Sequence, residues 1–145
     1  MARETRQYDP LQVVTNVGGR DVSGYATGTF VDVERAVDAF TTVVGSDGEI
    51  TRVKSQNRSG TVKITLQQSS PLNDYFSSLA TADELSSGGV VPILVTDKNG
   101  TTVVTAGKAW VKKKANATFA DAAENREWTF ETGNLSFAIG GETAL

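Results

Sequence analysis

Residues 61–68 alternate apolar and polar side chains more regularly than any other part of the chain. Val62, Ile64 and Leu66 occupy the apolar positions. Successive side chains of a strand point to opposite faces, so this pattern predicts a strand with one buried and one solvated face. Shorter alternating or β-branched runs predict further strands at residues 11–17, 29–35, 40–44, 49–54, 90–96, 101–111, 127–130 and 135–139.

A single helix is predicted over residues 71–86. Ser70 is placed to cap its first turn, and the proline that follows suits the first helical position because the N–H it lacks has no acceptor there. Leu72, Phe76 and Leu79 are spaced i, i+4, i+7 and form an apolar stripe before a pair of glycines. We expect this stripe to pack along a sheet rather than to bind a ligand.

Two segments leave alternatives open. Residues 29–35 alternate as a strand, yet Val33, Val37 and Phe40 also fit one face of a short helix, so we favour the strand and leave residues 36–39 unassigned. Near the C-terminus the apolar positions change from even to odd numbers across Gly133. Such a change requires either a bulge or a turn near that glycine.

A hairpin is predicted where residues 40–44 and 49–54 flank a Gly-Ser-Asp-Gly turn. Its second strand runs into residues 55–59, which are almost wholly polar, so much of this limb is not expected to lie over the protein's own core. From the residues alone, the limb is either a solvated loop or a contact with another subunit.

Composition narrows the function. The chain has 145 residues, which suits one domain, and a net charge of −3 that disfavours a surface gripping DNA or an anionic membrane. It has neither Cys nor His, so disulfides, thiolate metal sites and histidine acid–base catalysis are excluded. The N-terminus has no apolar core typical of a signal peptide, and we expect a soluble cytoplasmic product.

No pattern of catalytic residues stands out. Carboxylates recur as close pairs, but such pairs are common on solvated surfaces and nothing singles these out for acid–base or metal chemistry. The pairs are Asp32 with Glu34, Asp83 with Glu84, and Glu127 with Glu131. The adjacent serines at positions 69 and 70 have no histidine to activate them. We therefore predict a protein that is not an enzyme and that has no cofactor and no metal.

Several longer runs resemble the tail tube protein of contractile-tailed bacteriophages. They are GSDGE at residues 45–49 with the polar limb after it, SGTVKITLQQSSPLND at residues 59–74, GYATG at residues 24–28 and the final glycine pair. The resemblance spans residues 13–141. It implies a mainly β fold, an antiparallel sandwich or small barrel, with one flanking helix at about residues 71–86 and an extended arm at about residues 45–60.

The same resemblance implies a function. Similar proteins form hexameric rings that stack into a hollow tube inside a sheath, and they share their fold with the tube proteins of type VI secretion and of phage-tail-like bacteriocins. The chain is then expected to be one tube domain over residues 1–145, with a flexible arm at 1–10 and a short tail at 142–145. Expected partners are copies of itself, the sheath, tape measure, baseplate and terminator proteins, and DNA that passes through without specific binding. No membrane is expected as a partner. The protein would be assembled in the host cytoplasm and reside in the virion tail.

Two sets of residues become candidates under this resemblance. The subunit-interface candidates lie in the polar limb and are Glu49, Arg52, Lys54, Gln56, Asn57 and Arg58. The lumen-face candidates are Asp32, Glu34, Glu127 and Glu131, because a wall that conducts DNA must not bind phosphate. Two alternatives remain, namely a tube of a secretion system or bacteriocin and a monomeric β-sandwich that binds a small ligand.

Overall fold

The computed structural model describes residues 4–144, which form a mainly β fold with one α-helix. The predicted mainly β class with a single flanking helix is confirmed, and the bounds of the predicted strands agree within two residues. The elements are a 3₁₀ turn Pro10–Gln12, β1 Val13–Val17, β2 Arg20–Asp21, β3 Val31–Arg35, β4 Phe40–Val44, β5 Ile50–Lys54, β6 Gly60–Gln67, α1 Leu72–Ser86, β7 Val91–Asp97, β8 Val103–Lys113, β9 Asn125–Thr132 and β10 Leu135–Ala138.

Eight strands form one antiparallel sheet in the order β2-β1-β7-β8-β9-β6-β3, with β10 also paired to β8. Within the described residues β2 and β3 end this path, so the sheet stays open rather than closing into a barrel. Strand β3 confirms the strand interpretation of this segment, and residues 36–39 form bends rather than a helix.

The change of parity at Gly133 arises from a bend and not from a slip in pairing. Thr132 pairs with Ala109 and Leu135 pairs with Ala106, so the register against β8 is the same on both sides of the bend. All four of these residues are buried. The alternation of inward and outward side chains therefore changes at the same point in both strands. Of the two alternatives left open, a bulge or a turn near Gly133, the structure has a bend at this residue with no shift of register.

The core lies between the inner faces of the curled sheet and α1. Phe76 of the helix is completely buried and meets Trp128 and Phe130 edge-on, with ring centroids 5.6 and 5.0 Å apart. The Trp128 indole N–H donates to the Asn73 side chain at 2.9 Å, which fastens the first turn of α1 to β9. The apolar stripe predicted for the helix therefore packs in the core as expected.

The structure places the N-cap of α1 at Pro71, which makes no side-chain cap, one residue after the predicted cap Ser70. The Ser70 hydroxyl accepts from the backbone N–H of Leu72 at 3.3 Å and donates to the Ser23 carbonyl at 2.7 Å. Ser70 thus accepts from the first residue of the helix and ties the helix to the segment after β2.

Both predicted terminal segments reach beyond the described residues, since positions 1–3 of the arm and position 145 of the tail lie outside them. The described parts meet each other. Arg6 forms an antiparallel bridge with Ala144, and Gly100 forms one with Glu142. The Asn99 side chain donates to the Asp9 carbonyl at 2.9 Å, so the β7–β8 turn holds both ends.

Candidate assembly and lumen surfaces

All four acidic lumen candidates lie on one face of the sheet. Asp32 pairs with Lys63, which pairs with Thr129, and in the next row Glu34 and Glu131 flank Thr61. Paired residues point to the same side of a sheet, and the opposite side of these strands carries the buried core. We call this outward side of β3, β6, β9 and β8 the charged face.

Strand β8 adds a tryptophan and a lysine to the charged face. Trp110 pairs with Glu131, and Lys113 pairs with Thr129 after a register shift at Lys112. The paired positions of the face therefore carry four carboxylates and two lysines, and β8 has two further exposed lysines at positions 108 and 112. The ion pairs found among residues 4–144 are Arg6–Glu4 and Lys114–Glu84, neither of which belongs to this face. The charged side chains of this face therefore form no ion pairs with one another.

The hairpin of β4 and β5 stands apart from the main sheet. The two strands pair with each other in a separate sheet, from Phe40 opposite Lys54 to Val44 opposite Ile50. All ten of their residues are exposed. The predicted hairpin is confirmed, as is the expectation that its second strand does not lie over the core.

The two sides of this hairpin differ in chemistry. One side, called here the mixed side, combines apolar and cationic residues, and the Arg52 guanidinium stacks over the Phe40 ring at 4.1 Å. The opposite side carries only uncharged β-branched residues. The mixed side consists of Phe40, Thr42, Val44, Ile50, Arg52 and Lys54, and the opposite side of Thr41, Val43, Thr51 and Val53.

The interface candidates divide between the hairpin and the link that follows it. Glu49 precedes β5, and Arg52 and Lys54 lie on the mixed side. Gln56, Asn57 and Arg58 lie in the link to β6, where all three are exposed.

The link is held by the body of the protein at Arg58. The Arg58 carbonyl accepts from the backbone N–H of Leu135 at 2.8 Å, and Arg58 forms a parallel bridge with Asn134. The Asn57 side chain accepts from the backbone N–H of Ser59 at 3.0 Å. The backbone of the link is thus anchored, in contrast to the hairpin.

Sequence reasoning missed the apolar part of the hairpin. Val44 and Ile50 face each other near its tip and are 63% and 65% exposed. Both residues looked like ordinary strand positions in the sequence. The sequence does contain one indication of their exposure. The segment after β5 is polar and offers no apolar face that could cover these strands.

An apolar cleft opens on the inner side of the sheet between β3 and the β7–β8–β10 region. Its volume is about 530 Å³, and Asp97 is the one charged residue among the described residues that line it. Val95 and Val104 are buried, whereas Val31 and Phe137 remain half-buried. The lining is Tyr8, Val13, Gly28, Thr29, Phe30, Val31, Val33, Val95, Asp97, Thr102, Val104, Phe137 and Ile139.

No metal-binding cluster of acidic residues occurs among residues 4–144. In the same part of the chain, no helix has the length and apolar character needed to span a membrane. Burial raises the pKa of the Tyr25 phenol above its ordinary value.

The comparisons with known proteins identify the family. The model of the bacteriophage PhiTE tail tube protein family matches residues 12–140. This chain belongs to that tail tube family. It is also 31% identical to the structural protein ORF10 of Pseudomonas phage KPP10 over 149 aligned positions, which covers 97% of this chain and 86% of that protein.

Solved structures show the same fold at low sequence identity. The tail tube chain resembles the tube-terminating cap of the anti-feeding prophage, with a TM-score of 0.65, 9% identity and 95% of each chain covered. It also resembles a chain of the sheath–tube complex of the extracellular contractile injection system PVC in its extended state, with a TM-score of 0.61, 13% identity and 91% of each chain covered. These structural similarities show that this chain shares the fold of those proteins.

Proposed function

We propose that this tail tube chain is a structural, non-enzymatic subunit that assembles into hexameric rings, and that the rings stack into the hollow conduit through which a phage ejects its DNA. The observation that carries the proposal is the family match across residues 12–140. The chain as a whole would act as one tube domain, with residues 1–10 as an arm and 142–145 as a tail.

The charged face would line the lumen. It gathers Asp32, Glu34, Glu127 and Glu131 on adjoining strands, and its paired positions hold these four carboxylates against two lysines. Duplex DNA carries one phosphate charge per ~1.7 Å of helix axis, and a wall with more carboxylates than lysines repels it. Passage without adhesion is the property that a conduit for DNA requires.

The hairpin and its link would join neighbouring subunits. Glu49, Arg52 and Lys54 belong to an exposed hairpin, and Gln56, Asn57 and Arg58 follow it in an exposed link. An isolated two-stranded hairpin is marginally stable in water. A hairpin with exposed valine and isoleucine side chains therefore gains stability when a second copy covers it.

The remaining partners follow from the place of a tube in a contractile tail. A resembling chain comes from a sheath–tube complex and another from a cap that terminates a tube. We propose that this chain likewise contacts a sheath and a terminator, together with a tape measure inside the lumen and a baseplate at one end. Assembly would take place in the bacterial host cytoplasm, and the product would be the virion tail.

A tube of a secretion or injection system that carries no DNA is the second candidate. The resemblance to the anti-feeding prophage and PVC structures favours it, although identity to those chains is only 9% and 13%. Identity to the phage structural protein is 31%. We therefore rank the phage tail first, and packaged DNA in the purified particle would separate the two.

Electron microscopy of the purified chain tests the proposal. Negatively stained samples over a range of concentrations are expected to contain six-membered rings or tubes with an open channel. A baseplate fragment is added to nucleate assembly, because spontaneous nucleation of the purified chain can be slow. A chain that stays monomeric at high concentration even with this nucleus would contradict the proposed function.

A further inference from the structure

We propose that the mixed side of the β4–β5 hairpin docks into the apolar cleft of a second copy of this chain. The inference rests on the proposed tube function and names the two surfaces that meet. Both belong to the same molecule and neither is covered within it. The hairpin strands are exposed throughout, and the cleft exposes half-buried core residues of β3 and β10.

The apolar residues of the mixed side need a partner. Phe40, Val44 and Ile50 are 43%, 63% and 65% exposed, and they share one side of the hairpin. Apolar surface removed from water stabilises by about 25 cal/mol per Å². Three such side chains on a limb without a core of its own therefore favour burial against another surface.

The cleft has the size and chemistry to receive them. Its volume of about 530 Å³ falls within the roughly 300–1,000 Å³ of pockets that enclose a compact ligand. Val31, Val33 and Phe137 form its half-buried walls, and Val95 and Val104 are its buried residues. The cleft is thus an opening of the core that water reaches in the isolated chain.

Charge determines which side of the hairpin faces the cleft. The mixed side carries Arg52 and Lys54, and the charged residue in the cleft lining is Asp97. Asp97 Oδ1 accepts from the backbone N–H and the side chain of Asn99 at 2.9 and 2.8 Å, which fixes the carboxylate. The opposite side of the hairpin has no cation to offer it.

The contact is heterologous, since it joins two different surfaces of the same chain. A heterologous contact repeats from copy to copy, and it produces either a closed ring or an open helical filament. Rings that stack into a tube combine these two outcomes. A contact between two identical patches would instead be complete in a dimer.

Engineered cysteines test the contact cleanly because the natural chain has none. The test variant combines Ile50→Cys on the mixed side with Ile139→Cys at the cleft, and these positions are 65% and 79% exposed, so folding is expected to be kept. The matched control combines Thr51→Cys, next in sequence on the opposite side, with the same Ile139→Cys. Each assembled sample is treated with a mild oxidant or a short bismaleimide and run on a denaturing gel.

The expected result is a ladder of cross-linked oligomers from the test variant and at least about tenfold less from the control, the ratio that 1.4 kcal/mol produces. A ladder from the control alone would reverse the orientation and overturn the proposal. So would dimers from Ile139→Cys alone, because they would place two clefts against each other. Tubes that form without any ladder would overturn the docking and leave the tube function intact.

A second pair of variants gives an independent measurement. Ile50→Glu places a charge in the proposed contact, and Thr51→Glu places the same charge on the opposite side. We expect the first to raise the concentration needed for assembly by about tenfold or more and the second by less than about twofold. Equal effects would contradict the docking, and a wild-type chain that never assembles would contradict the proposed function as well.

Discussion

Ser87 holds the one positive φ angle found outside glycine among the described residues, at 56°. It ends α1, where its N–H donates to the Asp83 carbonyl at 2.9 Å. This left-handed conformation costs a residue with a Cβ about 1–2 kcal/mol, and glycine is the usual occupant at helix ends. The helix therefore ends at a strained serine, one residue before the glycine pair.

Ser87→Gly is expected to raise the free energy of unfolding by about 0.5–1 kcal/mol, since relief of strain exceeds the extra entropy of unfolded glycine. Urea denaturation of the unassembled chain measures this. Ser78→Gly, in the exposed interior of α1, is the matched control and should lower stability by roughly 0.5 kcal/mol. A loss of stability from both variants would show that Ser87 is not strained.

Tyr25 gives a prediction about pH. Its pKa is raised from 10.0 by burial, so the folded chain keeps this proton after the unfolded chain has lost it. The stability that depends on Tyr25 is complete below pH 10 and decreases above it, because the unfolded state then binds fewer protons. Phenolate absorbance of the folded chain should contain a component that titrates above pH 10, and Tyr25→Phe should remove that component and its share of the alkaline instability.

At the scale of elements, the β4–β5 hairpin is separable from the fold. The backbone N–H of Ser55 donates to the Ala39 carbonyl at 2.8 Å, so the two ends of the hairpin lie side by side. Its strands contribute no buried residue. In contrast, α1 contributes Leu72, Phe76 and Ala80 to the core and cannot be removed without exposing it.

Replacing residues 40–54 with an Asn-Gly turn is therefore expected to leave a folded chain that no longer forms tubes. Circular dichroism and thermal melting check the fold, and negative-stain images check assembly. The shortened chain keeps its cleft, so it should also shorten wild-type tubes when it is mixed in. Stable tubes from the shortened chain would contradict the assembly role of the hairpin.

At the scale of the whole molecule, the chain separates its surfaces by chemistry. The charged face is turned away from the core on one side of the sheet, while α1 packs on the other side. In the proposed tube, a face lining the lumen places the helix on the outer side. Substitutions on the charged face should therefore alter DNA passage, and substitutions on the helix surface should not.

Glu34→Lys with Glu131→Lys is expected to keep tubes intact and to slow genome release, because new cations in the wall bind phosphate. The delay should fade at high salt, where such contacts weaken. A phage lacking its own tube gene, complemented with the variant, allows release to be followed by dye fluorescence. Asp74→Lys with Ser78→Lys and Thr81→Lys changes the net charge by the same four units on the exposed surface of α1, keeps the Lys114–Glu84 ion pair, and should release DNA at the normal rate. Equal rates for both variants would count against the proposed lumen face.

Much of the local structure was predictable from the chain alone. Alternation at Val62, Ile64 and Leu66 predicts strand β6, and Ser70 with the apolar spacing after it predicts α1. The Gly-Ser-Asp-Gly turn predicts the hairpin. These features follow from neighbouring residues, because strand and helix periods and turn geometry are set within a few positions.

The charged face and the cleft were decided only by the tertiary structure. Alternation shows that Asp32 and Glu127 point away from a core, but it does not show that β6 lies between their strands and places them on one face. That placement depends on pairing between residues far apart in sequence. The same holds for Val44 and Ile50, whose exposure depends on where the rest of the chain packs. Local sequence determines which residues a strand presents on each side, whereas long-range pairing determines what each side faces.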